Sequence, residues 1–374
     1  MKKIFHWGGW SRNVGDLAIQ AGMMNTLQKQ STEPLEFIPL NSDLIEGVPP
    51  PSFHTGLIDT INHHGDMLLV GGGGQIMNRN KDESLSGWQF NISLDDLEKL
   101  NVPLVIYSIG YNKFPYFDEH EDSHMWEHIA KVKEKSELFS VRNVGTIEAL
   151  EEHGVKDVTY CPDPAMFCPK WDIKINELKE NSPIIGINLA GDRLGKRLGA
   201  TSPEKFIQSI AHEIYKFRSY EPDSAFIIIP HVSTLDFQIS EALKNSIGGK
   251  SYCLHQLVPG LYPENITTAK FIMSVYSQCD LVVGMRGHSN IMPFGVGTPF
   301  ISLGEHQKNK FFSDSLKINQ PIKNNCNELG SIMWATLNNL PAHKEEMNKN
   351  IVLCKQTLEI FNKKMLRLIN VGQT

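Results

Sequence analysis

No two cysteines in this chain stand at a metal-ligand spacing. The six, Cys161, Cys168, Cys253, Cys279, Cys326 and Cys354, are scattered through apolar segments. That excludes a CxxC zinc cage and offers no disulfide framework, so a reduced, cytoplasmic, metal-independent protein is expected. No apolar run approaches the roughly 18–20 residues of a membrane-spanning helix. The start, MKKIFHWGGW, has lysines but no apolar stretch of the kind a signal peptide needs. A basic excess is missing too. The net charge is −6 and the pI about 6.2, which argues against nucleic acid as the main partner. Neither G-x-x-x-x-G-K-[ST] nor G-x-G-x-x-G is present, so no nucleotide-phosphate loop is specified. No internal repeat is visible.

What is present is ordinary globular composition, 41% hydrophobic and 21% charged, over 374 residues. At roughly 100–200 residues per domain the length suggests two domains. Short β-rich apolar runs alternate with amphipathic stretches from end to end, the pattern of an α/β protein with parallel sheets. KKIFHWGG, EFIPL, DMLLV, PLVIYSIG and ELFSVR read as strands of one half. The alternation weakens near residues 170–182 and restarts with PIIGINLA, SAFIIIPH, DLVVGMR and PFISLG. From about Ala342 the apolar spacing predicts one long helix. The expected architecture is GT-B-like: two Rossmann-like domains, 1–175 and 176–341, with parallel sheets facing across a cleft, and residues 342–374 as a helix packing back across them. Ligands of such folds sit beyond the carboxyl ends of the strands, so chemistry is sought in the loops that follow them.

Five loops carry it. Asn13, Gly15 and Asp16 follow the first strand. Asp16 reads either as a helix cap or as a base or hydroxyl binder beside Asn13. Gly71, Gly72, Gly73 and Gly74 follow DMLLV and read either as backbone N–H groups that approach a ligand closely or as a tight turn with no ligand. Arg142, ending the SVR strand, suits bidentate recognition of a carboxylate or phosphate; its alternative is a salt bridge to Asp163. Asp163, between two prolines, reads as structural. Arg286, Gly287, His288 and Ser289 lie where a strand gives way to a helix. An arginine, a histidine and a helix start together suit a small, multiply charged acid, and the histidine can supply a proton near neutrality. His231 also ends a strand and is a further lining candidate, one of 14 histidines. Trp7 and Trp10 are candidates for stacking on a sugar ring.

In order, N-x-G-D-x-A at Asn13–Ala18, the glycine run, S-x-R at Ser140–Arg142, D-P-x-x-F at Asp163–Phe167 and G-M-R-x-H…G-x-P at Gly284–Pro299 resemble the polysaccharide pyruvyl transferase family. The resemblance implies a GT-B-like enzyme of cell-surface polysaccharide biosynthesis (exopolysaccharide or capsule). The donor would be phosphoenolpyruvate, with no separate cofactor and no metal. The product would be a pyruvate ketal on two hydroxyls of a saccharide or lipid-linked saccharide, with phosphate released. Loose association with a membrane surface is compatible with such acceptors. Arg286 and His288 then map to binding and protonating the donor, and Arg142 to a second donor-anion ligand. Asp16 is the candidate for activating the acceptor hydroxyl. The chain departs from the family pattern at Gly287, where members carry a bulky apolar residue, and at Asn143, where they tend to carry Asp. A GT-B glycosyltransferase using a nucleotide sugar, and a non-catalytic sugar- or anion-binding relative, stay open as alternatives.

Overall fold

The structure, a computed structural model, describes residues 1–10, 12–42, 52–79, 84–112, 123–178, 183–192, 202–232, 234–261, 265–304, 307–318, 322–323 and 325–370. Residues 179–182 of the expected linker lie outside the described residues. The chain forms two compact units that are not two halves of the sequence. The first holds Met1–Ser11, Gly22–Pro164 and Cys354–Thr374; the second holds Arg12–Ala21 and Ala165–Leu353.

In the first unit, β1 (Lys2–Gly8), β2 (Leu35–Asn41), β3 (Met67–Ile76), β4 (Leu104–Tyr111), β5 (Leu138–Val141) and β6 (Thr159–Tyr160) form one parallel sheet. Its order is β2-β1-β3-β4-β5-β6. The apolar runs MLLV and LVIY are buried in full, as strands covered on both faces must be. The glycine run does not turn the chain as its composition suggests. β3 continues through Gly71–Gly74 to Ile76. Gly71 and Gly73 take φ of +141° and +85°, and the pairing with β4 shifts register between Gly73 and Ile76. A Cβ at Gly71 would overlap the Tyr107 carbonyl. These glycines let a strand bulge while pressed against its neighbour.

Trp7 is not a sugar platform. It is 3% exposed in the aromatic core, with its ring centroid 4.8 Å from Phe53 and its Nε1 donating to the Gln89 carbonyl. Trp10 is half-buried and sits edge-on to His6.

In the second unit, β7 (Ile184–Asn188), β8 (Ala225–Ile228), β9 (Ser251–Cys253), β10 (Leu281–Gly284), β11 (Phe300–Leu303) and β12 (Ile322–Lys323) form another parallel sheet. Its order is β12-β11-β10-β7-β8-β9. Strand succession runs outward on one side from β7 and on the other from β10. That is the doubly wound arrangement, and the β7/β10 boundary is its topological switch point.

The predicted C-terminal helix is Leu340–Asn370. Its buried Met347 belongs to the second unit, and Leu358, Phe361 and Met365 belong to the first. There Phe361 packs edge-on against Tyr107, and Asn362 Oδ1 accepts from the Tyr107 hydroxyl at 2.8 Å. All six cysteines are unpaired and buried. Among the described residues no helix is long and apolar enough to cross a membrane.

Candidate functional site

The switch point of the second unit is built on one buried carboxylate. Asp236 stands in the first turn of the helix Leu235–Ile247 and is fully buried. Its oxygens accept the backbone N–H of Gly191, His231 and Val232, at 2.9, 3.2 and 3.0 Å. So one side chain fixes the loops that leave β7 and β8. The same carboxylate takes the Arg286 guanidinium side-on, Nε at 2.8 Å and Nη2 at 2.6 Å. Asp192 holds Nη2 from a second direction at 2.5 Å. Burial works against the arginine's charge, but Asp236 and Asp192 outweigh it, and the pKa is raised. Asn188, the last residue of β7, ties the frame together: Oδ1 accepts from Arg286 N at 3.1 Å and Nδ2 donates to the Ile229 carbonyl at 2.7 Å.

The first-strand loop motif arrives at this frame. Asn13 bridges to Val232, and Val14 N donates to the His231 carbonyl at 2.9 Å. The Gly15 backbone lies against the imidazole of His288, where any Cβ would overlap Nδ1. Two motifs about 270 residues apart in the chain thus meet in one unit, and glycine is required at the contact. The helix Val14–Gln30 is capped by Asn13, whose Oδ1 accepts from Gly15 N at 2.9 Å. Asp16 is therefore not the cap. It stands half-buried in the first turn, where the helix dipole favours a negative charge.

His231 is fully enclosed. Its Nε2 lies 2.6 Å from the Tyr276 hydroxyl, and Nδ1 has no hydrogen-bond partner. Burial first, then the nearby Arg286 and His288, hold its pKa well below the ordinary 6.5, so the ring is neutral. Which of the two donates depends on the ring's tautomer. Ser289 is also buried, and its hydroxyl donates to the Arg286 carbonyl at 2.6 Å. Gly287 precedes the helix His288–Gly295 with ordinary φ and ψ of −53° and −47°. The stem of Lys308 lies over it, with Cε 3.1 Å from the position a Cβ would take.

In the first unit, Arg142 Nη1 pairs with Asp163 at 2.8 Å, both side chains buried. The salt bridge weighed from sequence is present. Gly110 has no room for a Cβ because the guanidinium lies on it. Ser140 Oγ accepts from Ser108 N at 2.9 Å, and the Ser108 hydroxyl donates to the Cys161 carbonyl at 3.0 Å. The strand ends around Arg142 are thus stitched together. Asn143 caps the helix Val144–Glu152, accepting from Thr146 N at 2.9 Å and from the Thr146 hydroxyl at 2.7 Å. Gly72 and Gly73 are buried within β3, and Gly74 packs on Asn112.

The predicted residues Asn13, Asp16, His231, Arg286, Gly287, His288 and Ser289 gather in the second unit. Arg142 and the glycines belong to the first. Sequence reasoning missed Asn188, Asp192, Asp236, Tyr276 and Lys308. Asn188 and Asp192 were within reach, since both stand at the end of the PIIGIN strand. Tyr276 lies inside a helix and carried no signal. Among the described residues no group of three or more His, Cys, Asp or Glu is arranged to hold a metal.

The fold is similar to that of several proteins solved with UDP or a UDP-sugar. UDP-GlcNAc 2-epimerase from Neisseria meningitidis, bound to UDP-GlcNAc, is similar over 98% of this chain and 100% of its own, with TM-score 0.61 at 12% identity. MnaA of S. aureus, in its UDP co-structure, is similar over 93% of this chain and 90% of its own, with TM-score 0.57 at 14% identity. Anabaena Alr3699/HepE in complex with UDP-glucose is similar over 98% of each chain, with TM-score 0.52 at 11% identity. At these identities the likeness shows the fold alone. No curated protein sequence matches the chain. The family model for polysaccharide pyruvyl transferase, however, matches residues 13–307, from the asparagine that meets Val232 to the start of the Lys308 helix. The chain belongs to the polysaccharide pyruvyl transferase family.

Proposed function

We propose that the protein transfers the pyruvyl group of phosphoenolpyruvate to two hydroxyls of a saccharide, free or lipid-linked, forming a cyclic ketal and releasing phosphate. The observation that carries this reading is the meeting of His288 with the Asn13–Asp16 turn beside Arg286, at the switch point of the second unit. The donor has a carboxylate and a phosphate. Arg286 is held through Nε and Nη2, which leaves Nη1 to face an anion. The neutral His231, in the tautomer that accepts from Tyr276 at Nε2 and carries its proton on Nδ1, adds a donor that does not titrate near neutrality.

His288 gives a proton to the methylene carbon of the donor, and C2 becomes electron-poor. One acceptor hydroxyl adds to C2 and loses its proton, with Asp16 as the base. Phosphate leaves C2 with its bonding electrons. The second hydroxyl adds to C2, returns a proton to His288 and closes the ketal, and the departing phosphate takes the proton held by Asp16. As written, the sequence uses proton transfer and anion binding alone.

The test is a thermal-shift titration with phosphoenolpyruvate, UDP and GDP, followed by acceptor-dependent phosphate release. A ligand at 100 times its Kd adds about 2.7 kcal/mol, a plain rise in Tm. Stabilisation by phosphoenolpyruvate alone is expected. His288→Gln should keep that stabilisation and lose about 10²-fold or more in phosphate release, as for a positioned acid. Stabilisation by UDP without phosphoenolpyruvate would transfer the protein to nucleotide-sugar chemistry.

A further inference from the structure

The helix Gln307–Leu316 follows β11, and its first turn lies over the start of His288–Gly295. Asn309 stands in that turn. It is 1% exposed, and neither its Oδ1 nor its Nδ2 has a hydrogen-bond partner. An enclosed amide with both ends unmet is rare in a folded protein and calls for an explanation such as a ligand, an ion or a water. Its direction is known. Asn309 Oδ1 lies 3.6 Å from the position a Cβ on Gly287 would take, and the Lys308 stem covers the same space at 3.1 and 3.4 Å.

Gly287 needs no glycine for its backbone, whose φ and ψ suit any residue. What the glycine supplies is room between the Arg286–His288 turn and the Asn309 amide. The neighbour across that room is a lysine stem, the kind of group that can move aside. One turn further along the same helix, Ser313 Oγ is also enclosed without a partner. This stretch of the helix is therefore polar beyond what its own hydrogen bonds use.

We infer that Asn309 contacts the donor substrate: its amide, held by no hydrogen bond at either end, turns half-way round to put Nδ2 where Oδ1 faces Gly287, and Nδ2 donates to an anionic oxygen, carboxylate or phosphate, that reaches it over Gly287. The inference rests on the donor reading above for the identity of the acid, and on the geometry alone for the existence of an anion subsite.

Calorimetric titration and thermal melting separate the two. The ligands are phosphoenolpyruvate, inorganic phosphate and pyruvate; the proteins are wild type, Asn309→Leu and Gly287→Ala. Leu is close to Asn in size and removes an unmet amide. Ligand-free Asn309→Leu is therefore expected to melt at or above the wild-type temperature. Its Kd for phosphoenolpyruvate is expected to weaken about tenfold or more, the usual loss for a hydrogen bond to a charged group. Gly287→Ala, at a backbone position that accepts Ala, is expected to fold as well and to weaken the same ligand. Whichever of phosphate and pyruvate loses affinity in Asn309→Leu identifies the anionic group at the amide.

A lower ligand-free Tm with phosphoenolpyruvate binding within twofold of wild type would make Asn309 structural and overturn the inference. If wild type ignores phosphoenolpyruvate, the donor reading fails. Phosphate binding that Asn309→Leu abolishes would then still support the subsite, and absent or unaltered phosphate binding would refute it.

Discussion

Arg286 and Arg142 each follow the end of a parallel strand and each enter a carboxylate pair, but the two pairs are built differently. Arg286 is gripped by two carboxylates, and one of them also gathers three backbone N–H groups from two loops. Arg142 meets Asp163 through one nitrogen and lies flat on a glycine. In the second unit the ion pair is the keystone of the loop geometry. In the first, hydroxyls of Ser108 and Ser140 hold the loops, and the ion pair is added to a frame that already stands. A buried arginine can thus organise a site or merely occupy one, and its partners distinguish the cases.

The sharpest way to break the contrast is Asp236→Ala. It leaves the buried guanidinium to Asp192 alone and strands three backbone donors at once, so the loss should reach about 5 kcal/mol, the upper end for breaking a buried pair. Urea unfolding should show it, with hydrogen exchange rising at the ends of β7, β8 and β10. Acid comes next and acts chiefly on the first unit. Burial, opposed by hydrogen bonds to the Gly71 and Ile92 carbonyls, holds His6 and His128 at about 4. The unfolded chain takes up these protons below pH 6.5 while the native one does not, so stability falls as the pH drops from 6.5 and levels off near 4. Each group contributes about 1.4 kcal/mol per pH unit. The two together should cost about 4 kcal/mol by pH 5, with His231 adding a further loss in the second unit. Stability that stays flat from pH 7 to 5 would contradict the neutral assignments.

Arg142→Ala ranks third. It leaves Asp163 buried without its guanidinium and should cost about 3 kcal/mol, while exchange at the Ser108 and Ser140 amides changes little. If those amides open as widely as the β7 and β10 ends do in Asp236→Ala, the contrast between the two arginines fails. The smallest effect is expected at Asn143→Asp. Asn and Asp cap helices about equally, so stability should move by less than about 0.5 kcal/mol. A larger change would mean that the carboxylate preferred at this position in the family does more than cap.

Much of this was legible in the sequence. Apolar runs such as MLLV, LVIY and FIIIP bury both faces of a parallel strand whatever surrounds them, so the strands and the loops after them could be read directly. The switch-point loop around Arg286 and His288 followed from that placement. The partners of those residues did not. Asp236 lies five residues past His231 in a helix of ordinary appearance, and only the strand order brings it under Arg286. The glycine run misled because its composition suits a turn, whereas its conformation is set by the β4 backbone pressed against it. Trp7 misled for a similar reason. An aromatic residue at a strand end looks available for stacking until Phe53 and Phe90 arrive from distant segments to enclose it.

The division of the chain has a consequence for the order in which the molecule can be made. Residues 12–21, which carry the Gly15 contact, are synthesised before the rest of the unit they belong to, and residues 354–370 are synthesised after that unit but complete the one that holds β1. The Tyr107 hydroxyl and the Thr26 side chain find Asn362 only when the turn that carries it has left the ribosome. Neither unit is a contiguous stretch that could be cut out and expressed alone. A nonsense codon just ahead of residue 354 would therefore do its damage far back along the chain, in the sheet of β1 to β6.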